Sequence, residues 1–556
     1  MNRRTRLWRG VVCLAMILAG CDDSPRPPIS PTPGLSESEL GPASDPALAP
    51  ILPGEGQTAE GRKAIIESVV QLIQSAPLNP GGSNFDIATD RLNHLFAGTS
   101  AAEFTLSRED REFLQTKLPP EILQSLETRE FTRRDARHIE DCMLYHAVAT
   151  RGAGDGDDLT RARRLFDWIV RQIQLVPAGS LAPPVPPGQA PKPQAEARPY
   201  DVLLRGMATE QGGYWAERGW LFMALCRQIG IDTGLISYTP VGRQEPVVWI
   251  TAALIDGKPY LFDARIGLPV PGPDGQGVAT LEQAATDPQV LAQLDLPGGP
   301  YQTTAADLNN GRIEVLIDST LGYLSPRMRA VQKELEAVSA QNRVTLFRDP
   351  AEQRAAFAKA LGPRFGDVGL WRLPVEIELR LFTDPQFVDA TLYPIRIFDA
   401  RWPLLSARLM QLRGDLTSAI QSYVSFRFAE KALEADGKTP IPPHIQRDLD
   451  AYATYFLALA KLDQDDSSDP FLFKKTLELP EPGPGQPLYS MFRWGAQTNL
   501  ALIHEARGDH TQAIRYFVRD DPTPQNHGNL LRACRLIWRD PFVPSEVEDR
   551  ATTARR

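Results

Sequence analysis

From Ala59 to Arg151 the apolar residues recur at helical spacing: Ala64, Ile65, Val69, Leu72 and Ile73, then Ile139, Met143 and His146. Intervals of three and four residues put one face of a helix against a core. Asp157-Asp158 reads as a helix start, followed by Leu159, Ala162, Leu165, Phe166, Ile169, Val170 and Ile173 at the same intervals. After the apolar segment Gly213–Asp232 the period shortens. Gly234–Thr239, Val247–Leu254 and Pro259–Asp263 predict strands, and Asp256-Gly257 is a type I′ hairpin signal between the last two. Farther on, Ile313–Ile317, Arg343–Phe347 and Val375–Leu381 predict strands, while Met328–Ala340 and Ala351–Leu361 predict helices. From Trp402 to about Trp538 helix follows helix. The predicted class is α+β, with a helix feeding an antiparallel sheet and an all-α region after it.

Proline clusters divide these patterned stretches. Val176–Tyr200 holds eight prolines among small residues and predicts an exposed spacer. Cys21 to about Thr58 is rich in Pro, Ser, Gly and acids, cannot bury a core, and predicts a disordered tether. At the N-terminus Arg3, Arg4, Arg6 and Arg9 precede the apolar run Gly10–Ala19. That run is too short for a spanning helix of ~20 residues and predicts a signal peptide over residues 1–20. Leu18-Ala19-Gly20-Cys21 resembles a bacterial lipobox. The resemblance implies a Cys21 bearing acyl chains such as palmitate, and a protein held on a bacterial membrane facing the periplasm or the outside. Which membrane stays open.

Without residues 1–20 the chain carries 56 basic and 69 acidic residues, a net charge of −13. Such a surface repels nucleic acid, so none is expected as a partner. Past Cys21 only Cys142, Cys226 and Cys534 remain, too few for a disulfide framework; buried thiols are expected.

Within Gly213–Asp232, the residues Leu221, Ala224, Leu225, Arg227, Gly230 and Ile231 follow a recognisable pattern. They resemble the nucleophile helix of the transglutaminase-like (papain-related) superfamily, G-x-C-x-D/E-x-A-x-L-x-x-A-L-x-R-x-x-G-I. The resemblance covers roughly Asp158–Gly267 and implies a papain-like core, a helix packed on an antiparallel sheet. It also implies a Cys at position 215, a His two residues before Trp249, and an Asp on the next strand. The chain has Trp215, Val247 and Asp263 at those positions. An indole cannot be acylated and a valine cannot relay a proton, so the family's thiolate chemistry is not expected. No histidine occurs between His146 and His444 to stand in as base. Glu217 matches the family's common acidic position and is expected as a cap or ion-pair residue, with Arg218 beside it. Cys226, among Phe222, Leu225 and Ile229, is expected as a core thiol. Asp263 is expected to bind Arg265, Arg218 or backbone amides.

Two further clusters carry no chemistry in this reading of the residues. His138, Cys142 and His146 share one helical stripe, but positions i, i+4 and i+8 span ~12 Å at 1.5 Å per residue, too far for one ion. Asp274-Gly275-Gln276-Gly277 lacks the lysine and the strand–helix context of a phosphate loop. No metal or other cofactor is expected.

Gly414-Asp415-x-x-x-Ala419-Ile420-x-x-Tyr423 and Gly508-Asp509-x-x-x-Ala513-Ile514-x-x-Phe517 match each other. They resemble the turn and second helix of a tetratricopeptide repeat, which implies a surface for a protein or peptide partner. The expected order is signal peptide 1–20, tether 21–58, helical region 59–151 and transglutaminase-like domain 152–298 with its proline-rich insertion 177–199. A mixed segment 299–400, a repeat-like helical domain 401–540 and a disordered tail 541–556 follow. The expected function is a membrane-anchored scaffold with a non-catalytic core. A hydrolase with a displaced site around Asp263 and Glu217, or a purely structural envelope component, are the alternatives.

Overall fold

The computed structural model describes residues 56 and 58–539, apart from 79–82, 184–195, 210–215, 297, 339–342, 363–365, 401, 429–440, 465–469, 484–485 and 520–522. The expected signal peptide, Cys21, nearly all of the tether, Trp215, much of the proline-rich insertion and the 541–556 tail lie outside the described residues. Among the described residues no helix is long and apolar enough to cross a membrane.

The chain is mixed α and β, rich in helix, around one six-stranded sheet. Helices α1 (Ala59–Ser75), α2 (Asn84–Phe96) and α3 (Arg133–Ala153) pack together through Ile66, Leu92, Phe131, Ile139 and Cys142. Helix α4 (Asp158–Gln172) begins where Asp157 accepts the Thr160 amide at 2.7 Å, a side-chain N-cap. Its apolar stripe Ala162, Leu165, Phe166 and Ile169 is fully buried, as the periodicity requires. Strand β1 (Gln174–Val176) pairs in parallel with β2 (Met207–Thr209). Helix α5 (Pro199–Arg205) leads into β2.

Helix α6 (Ala216–Gln228) is buried on every side, with no solvent face, and so sits at the centre of the molecule. Strands β3 (Asp232–Thr239), β4 (Val247–Ile255), β5 (Lys258–Asp263) and β6 (Leu268–Pro269) form an antiparallel meander beside it. The β4–β5 turn is Asp256-Gly257, with φ of +50° and +71°. A type I′ turn needs positive φ at both positions, as its sequence predicts. Strand β7 (Arg312–Asp318) pairs antiparallel with β3, and β8 (Asp367–Trp371) pairs in parallel with β7. The sheet order β6-β5-β4-β3-β7-β8 therefore runs through residue 298 into the mixed segment.

Two predicted strands take other forms. Val375–Leu381 lies in helix α8 (Leu373–Thr383), after α7 (Pro326–Val338) and before α9 (Pro385–Leu392). Its alternating Val, Ile and Leu residues mimic a strand, but Pro374 opens a first helical turn, where its missing N–H costs nothing. Arg343–Phe347 belongs to no strand. Its amides are satisfied by glutamines instead: Gln228 Oε1 accepts from Thr345 N at 3.0 Å, and Gln332 Oε1 from Leu346 N at 2.9 Å.

The C-terminal helices are α10 (Trp402–Arg413), α11 (Leu416–Phe428), α12 (Pro443–Gln464), α13 (Phe492–Ala506), α14 (His510–Phe517) and α15 (Asn526–Arg539). The two matched Gly-Asp segments make the α10–α11 and α13–α14 turns. Gly414 and Gly508 have φ of +96° and +74°, where only glycine is unstrained, and each following Asp caps the next helix. Helices α10 to α13 share the core of α6, while α14 and α15 pack on the end of α13 through Ile514, Phe517, Ala533 and Leu536. Phe222 touches Phe166 and Phe262 at ring separations of 5.3 and 4.9 Å, and the same cluster continues through Tyr452, Phe456 and Phe492. Burying each such ring contributes ~1.5–3 kcal/mol.

Candidate functional site

The start of α6 faces the ends of β4 and β5 across a small cleft. Ala216, Gly219, Val248, Thr251, Asp263 and Arg265 line it, and it encloses about 20 Å³. A water needs ~10–15 Å³, so the cleft holds about one. Gly219 permits this approach: a Cβ there would stand 3.0 Å from Thr251 Oγ1.

Asp263 ends β5 and is 1 % exposed. Its Oδ1 accepts the Arg265 and Ile266 amides at 2.8 and 3.3 Å, closing the turn into β6. Its Oδ2 accepts the Tyr301 hydroxyl at 2.6 Å, and that hydroxyl accepts the Trp249 indole N–H at 3.0 Å. The Arg265 guanidinium approaches Oδ2 at 4.0 Å and lies 5.4 Å from the Tyr301 ring centroid. Burial and the Asp263 charge push the Tyr301 phenol well above its usual range, so it stays a donor. Asp263 thus binds backbone amides and approaches Arg265, as the sequence suggests. Its principal side-chain partner is a tyrosine 38 positions away that no local pattern marks.

Val247 and Val248 separate across the sheet. Opposite them β3 pairs Ile236 with Ile250 but Ser237 with Val248, so Trp249 is an extra residue, a β-bulge. Val247 and Trp249 pack on the cluster holding Ile236, Tyr238 and Ile250. Val248 packs with Ala216, Trp220 and Leu235 and lines the cleft. The bulge therefore brings Val248, one residue beyond the position inferred from the spacing to Trp249, to the α6 side.

Glu217 and Arg218 are held elsewhere. Glu217 accepts the Ala197 and Thr209 amides at 2.8 and 2.9 Å and forms an ion pair with Arg205. Burial raises its pKa against the pull of Arg205. It ties the returning end of the insertion and β2 to α6, and it does not line the cleft beside Asp263. Arg218 is fully buried. It donates to the carbonyls of Ala264, Val170 and Ile173 and to Gln525 Oε1, joining α4, the β5–β6 turn and the segment before α15. Burial lowers its pKa to about 9.

Cys142, Cys226 and Cys534 are buried, and burial pushes the Cys142 and Cys226 thiols up, away from thiolate character. His138 Nε2 contacts the Leu346 carbonyl at 2.9 Å, and its ring meets Tyr323 edge-on at 4.6 Å. Cys142 Sγ donates to the Tyr323 hydroxyl at 3.3 Å. No group of three His, Cys, Asp or Glu that could hold a metal ion occurs among the described residues. Asp274–Gly277 forms a tight turn in which Gln276 O accepts from Gly272 N at 3.0 Å. Compared with known proteins, the chain matches no family model, no curated protein and no solved structure.

Proposed function

We propose that this is a membrane-anchored envelope lipoprotein whose transglutaminase-like core, papain-like in layout, is catalytically silent and serves to bind a protein or peptide. The cleft is the observation that carries this proposal. Thiol acyl transfer needs a low-pKa thiolate and an imidazole within hydrogen-bond reach. The described residues of the cleft include neither Cys nor His, and Asp263, the position for the imidazole's partner, is bonded to Tyr301. Its interior of about 20 Å³ has room for about one water. The layout supports the family resemblance: a buried helix, then antiparallel strands, with a carboxylate at the end of the third strand after it. Anchoring rests on the n-region, the apolar run and Cys21. The Gly-Asp helix hairpins, and Val241, 75 % exposed on the loop into β4, offer surface to a partner.

The test uses the full-length protein in detergent micelles. It is mixed with a glutamine-containing peptide and a primary amine, and amide exchange and hydrolysis are followed by mass spectrometry. No turnover above a protein-free control is expected. Turnover that disappears in Asp263→Asn would overturn the proposal. A photo-crosslinker at position 241, used in membranes, should give a discrete protein adduct.

A further inference from the structure

A second, larger cavity, of about 100 Å³, opens between α3, α5, α6, α8 and α9, and shares no lining residue with the cleft. Its walls are mainly apolar, from Trp220, Tyr145, Leu381, Leu392 and Ile395. An apolar cavity of ~150 Å³ takes up benzene, so a space of this size suits one small ring. The polar groups of the wall are spent on the protein itself. The Trp220 indole N–H donates to Asp318 Oδ2 at 3.4 Å, and Thr320 Oγ1 donates to Asp318 Oδ1 at 2.7 Å. Thr391 Oγ1 donates to the Phe387 carbonyl at 2.9 Å, and the Tyr323 hydroxyl accepts from Cys142 Sγ.

The charged groups are matched in the same way. Arg134, Arg137 and Arg198 line the cavity together with Asp141, Asp201 and Glu378. Arg198 pairs with Asp141 and Asp201 at 2.9 and 3.2 Å. Arg137 acts on Asp141 and Glu140, and Arg134 on Glu378. Burial still pushes Asp141 up to about 6 and Glu378 up to about 7, the mark of poorly hydrated surroundings. His138 also lines the cavity, and burial lowers it to about 4, so it is neutral near pH 7. A charged ligand would have to draw one of these groups out of a pairing already made, and a buried charge without a partner is costly. An uncharged ring disturbs none of them. Planar guanidinium groups are attracted to the face of an aromatic ring, which a saturated ring does not offer.

We propose that the cavity binds a small uncharged aromatic molecule, of the size and polarity of phenol or indole. The ring lies against Trp220, Leu381, Leu392 and Ile395, and the arginine–carboxylate pairs stay closed around it. This site does not depend on the silent core or on a protein partner, and goes beyond both.

The test is isothermal titration of the full-length protein in detergent with phenol and indole, against a titration of the detergent alone. Benzoate, benzylamine and cyclohexanol are the comparison probes. At least one of phenol and indole should bind at millimolar or lower concentration. The two charged probes should bind at least about tenfold more weakly, and cyclohexanol at least about threefold more weakly. Leu392 is only partly buried on the cavity wall, so Leu392→Trp should fill the space and weaken binding at least about tenfold. Leu381→Trp, also at a partly buried wall position, fills it from α8 and serves should the first variant fail to fold. The proposal is overturned if neither phenol nor indole binds beyond the detergent control, or if a charged probe or cyclohexanol binds as tightly. It is equally overturned if a folded Trp variant binds unchanged.

Discussion

Replacing Tyr301 with Phe removes one oxygen from the centre of the candidate site. The hydroxyl donates to Asp263 Oδ2 at 2.6 Å and accepts from Trp249 Nε1 at 3.0 Å. Asp263 is 1 % and Trp249 5 % exposed, so water does not readily replace the lost partner. A hydrogen bond to a charged group contributes roughly 1.5–3 kcal/mol, and a stranded buried donor costs about 1–3 kcal/mol. Two features limit the sum. Asp263 Oδ1 keeps its two backbone amides, and the Arg265 guanidinium, 4.0 Å from Oδ2, takes up part of the charge. The expected loss is about 2–4 kcal/mol. Urea denaturation followed by tryptophan fluorescence measures it, with an unchanged slope indicating an unchanged fold. Combining Tyr301→Phe with Asp263→Asn in a double-mutant cycle should give a coupling of about 1–2 kcal/mol. A Tyr301→Phe protein within about 0.5 kcal/mol of the parent, or strict additivity with Asp263→Asn, would refute the idea that the phenol holds the carboxylate.

Two more predictions concern pH and packing. Burial pushes Glu140 up to about 8 and Glu378 up to about 7, both above unfolded values near ~4.3, so the folded chain binds more protons and loses stability as pH rises through that window. His138, lowered by burial to about 4, acts oppositely but only below about 6.5, so melting temperature should fall between about pH 6.5 and 8, and Glu140→Gln should flatten the fall; a melting temperature that climbs there contradicts these burials. A Cβ at Gly528, in the first turn of α15, would stand 1.8 Å from the Ile266 carbonyl, whereas one at Gly508 meets no atom within 4 Å. Gly508→Ala should therefore cost only the ~1–2 kcal/mol of its positive φ, and Gly528→Ala should cost more and loosen the β5–β6 turn, measured as faster hydrogen exchange over residues 263–268; equal costs would mean that α15 does not brace that turn.

Much of this architecture is written in short-range patterns. The Asp256-Gly257 turn, the α4 stripe and the paired Gly-Asp helix turns each follow from residues within a few positions of one another. Their physics is local: a positive φ, a side-chain cap, a 3.6-residue period. What escaped the sequence depends on distant partners. Val375–Leu381 is the exception, since Pro374 marks its helix start locally while its alternating Val, Ile and Leu residues mimic a strand. Arg343–Phe347 lacks a ladder because Gln228 and Gln332 bind its amides from elsewhere in the chain. Asp263 and the Val247–Trp249 stretch are visible in the sequence as candidate positions only. The bulge that exchanges Val247 for Val248, and the arrival of Tyr301, are properties of the assembled sheet.

The proposed function rests on the proposal that α6, β4 and β5 carry a transglutaminase-like register with its nucleophile and base replaced. The most direct measurement is the thiol pKa of two engineered proteins, Trp215→Cys with Val248→His and Trp215→Cys with Val247→His, read from the pH dependence of alkylation. With the histidine at 248, on the α6 side of the sheet, the thiol should titrate at least about one unit below the free value of ~8.5. With it at 247, on the other face, the thiol should titrate as a free cysteine. A thiol that behaves as free in both proteins would contradict the register and the family resemblance with it.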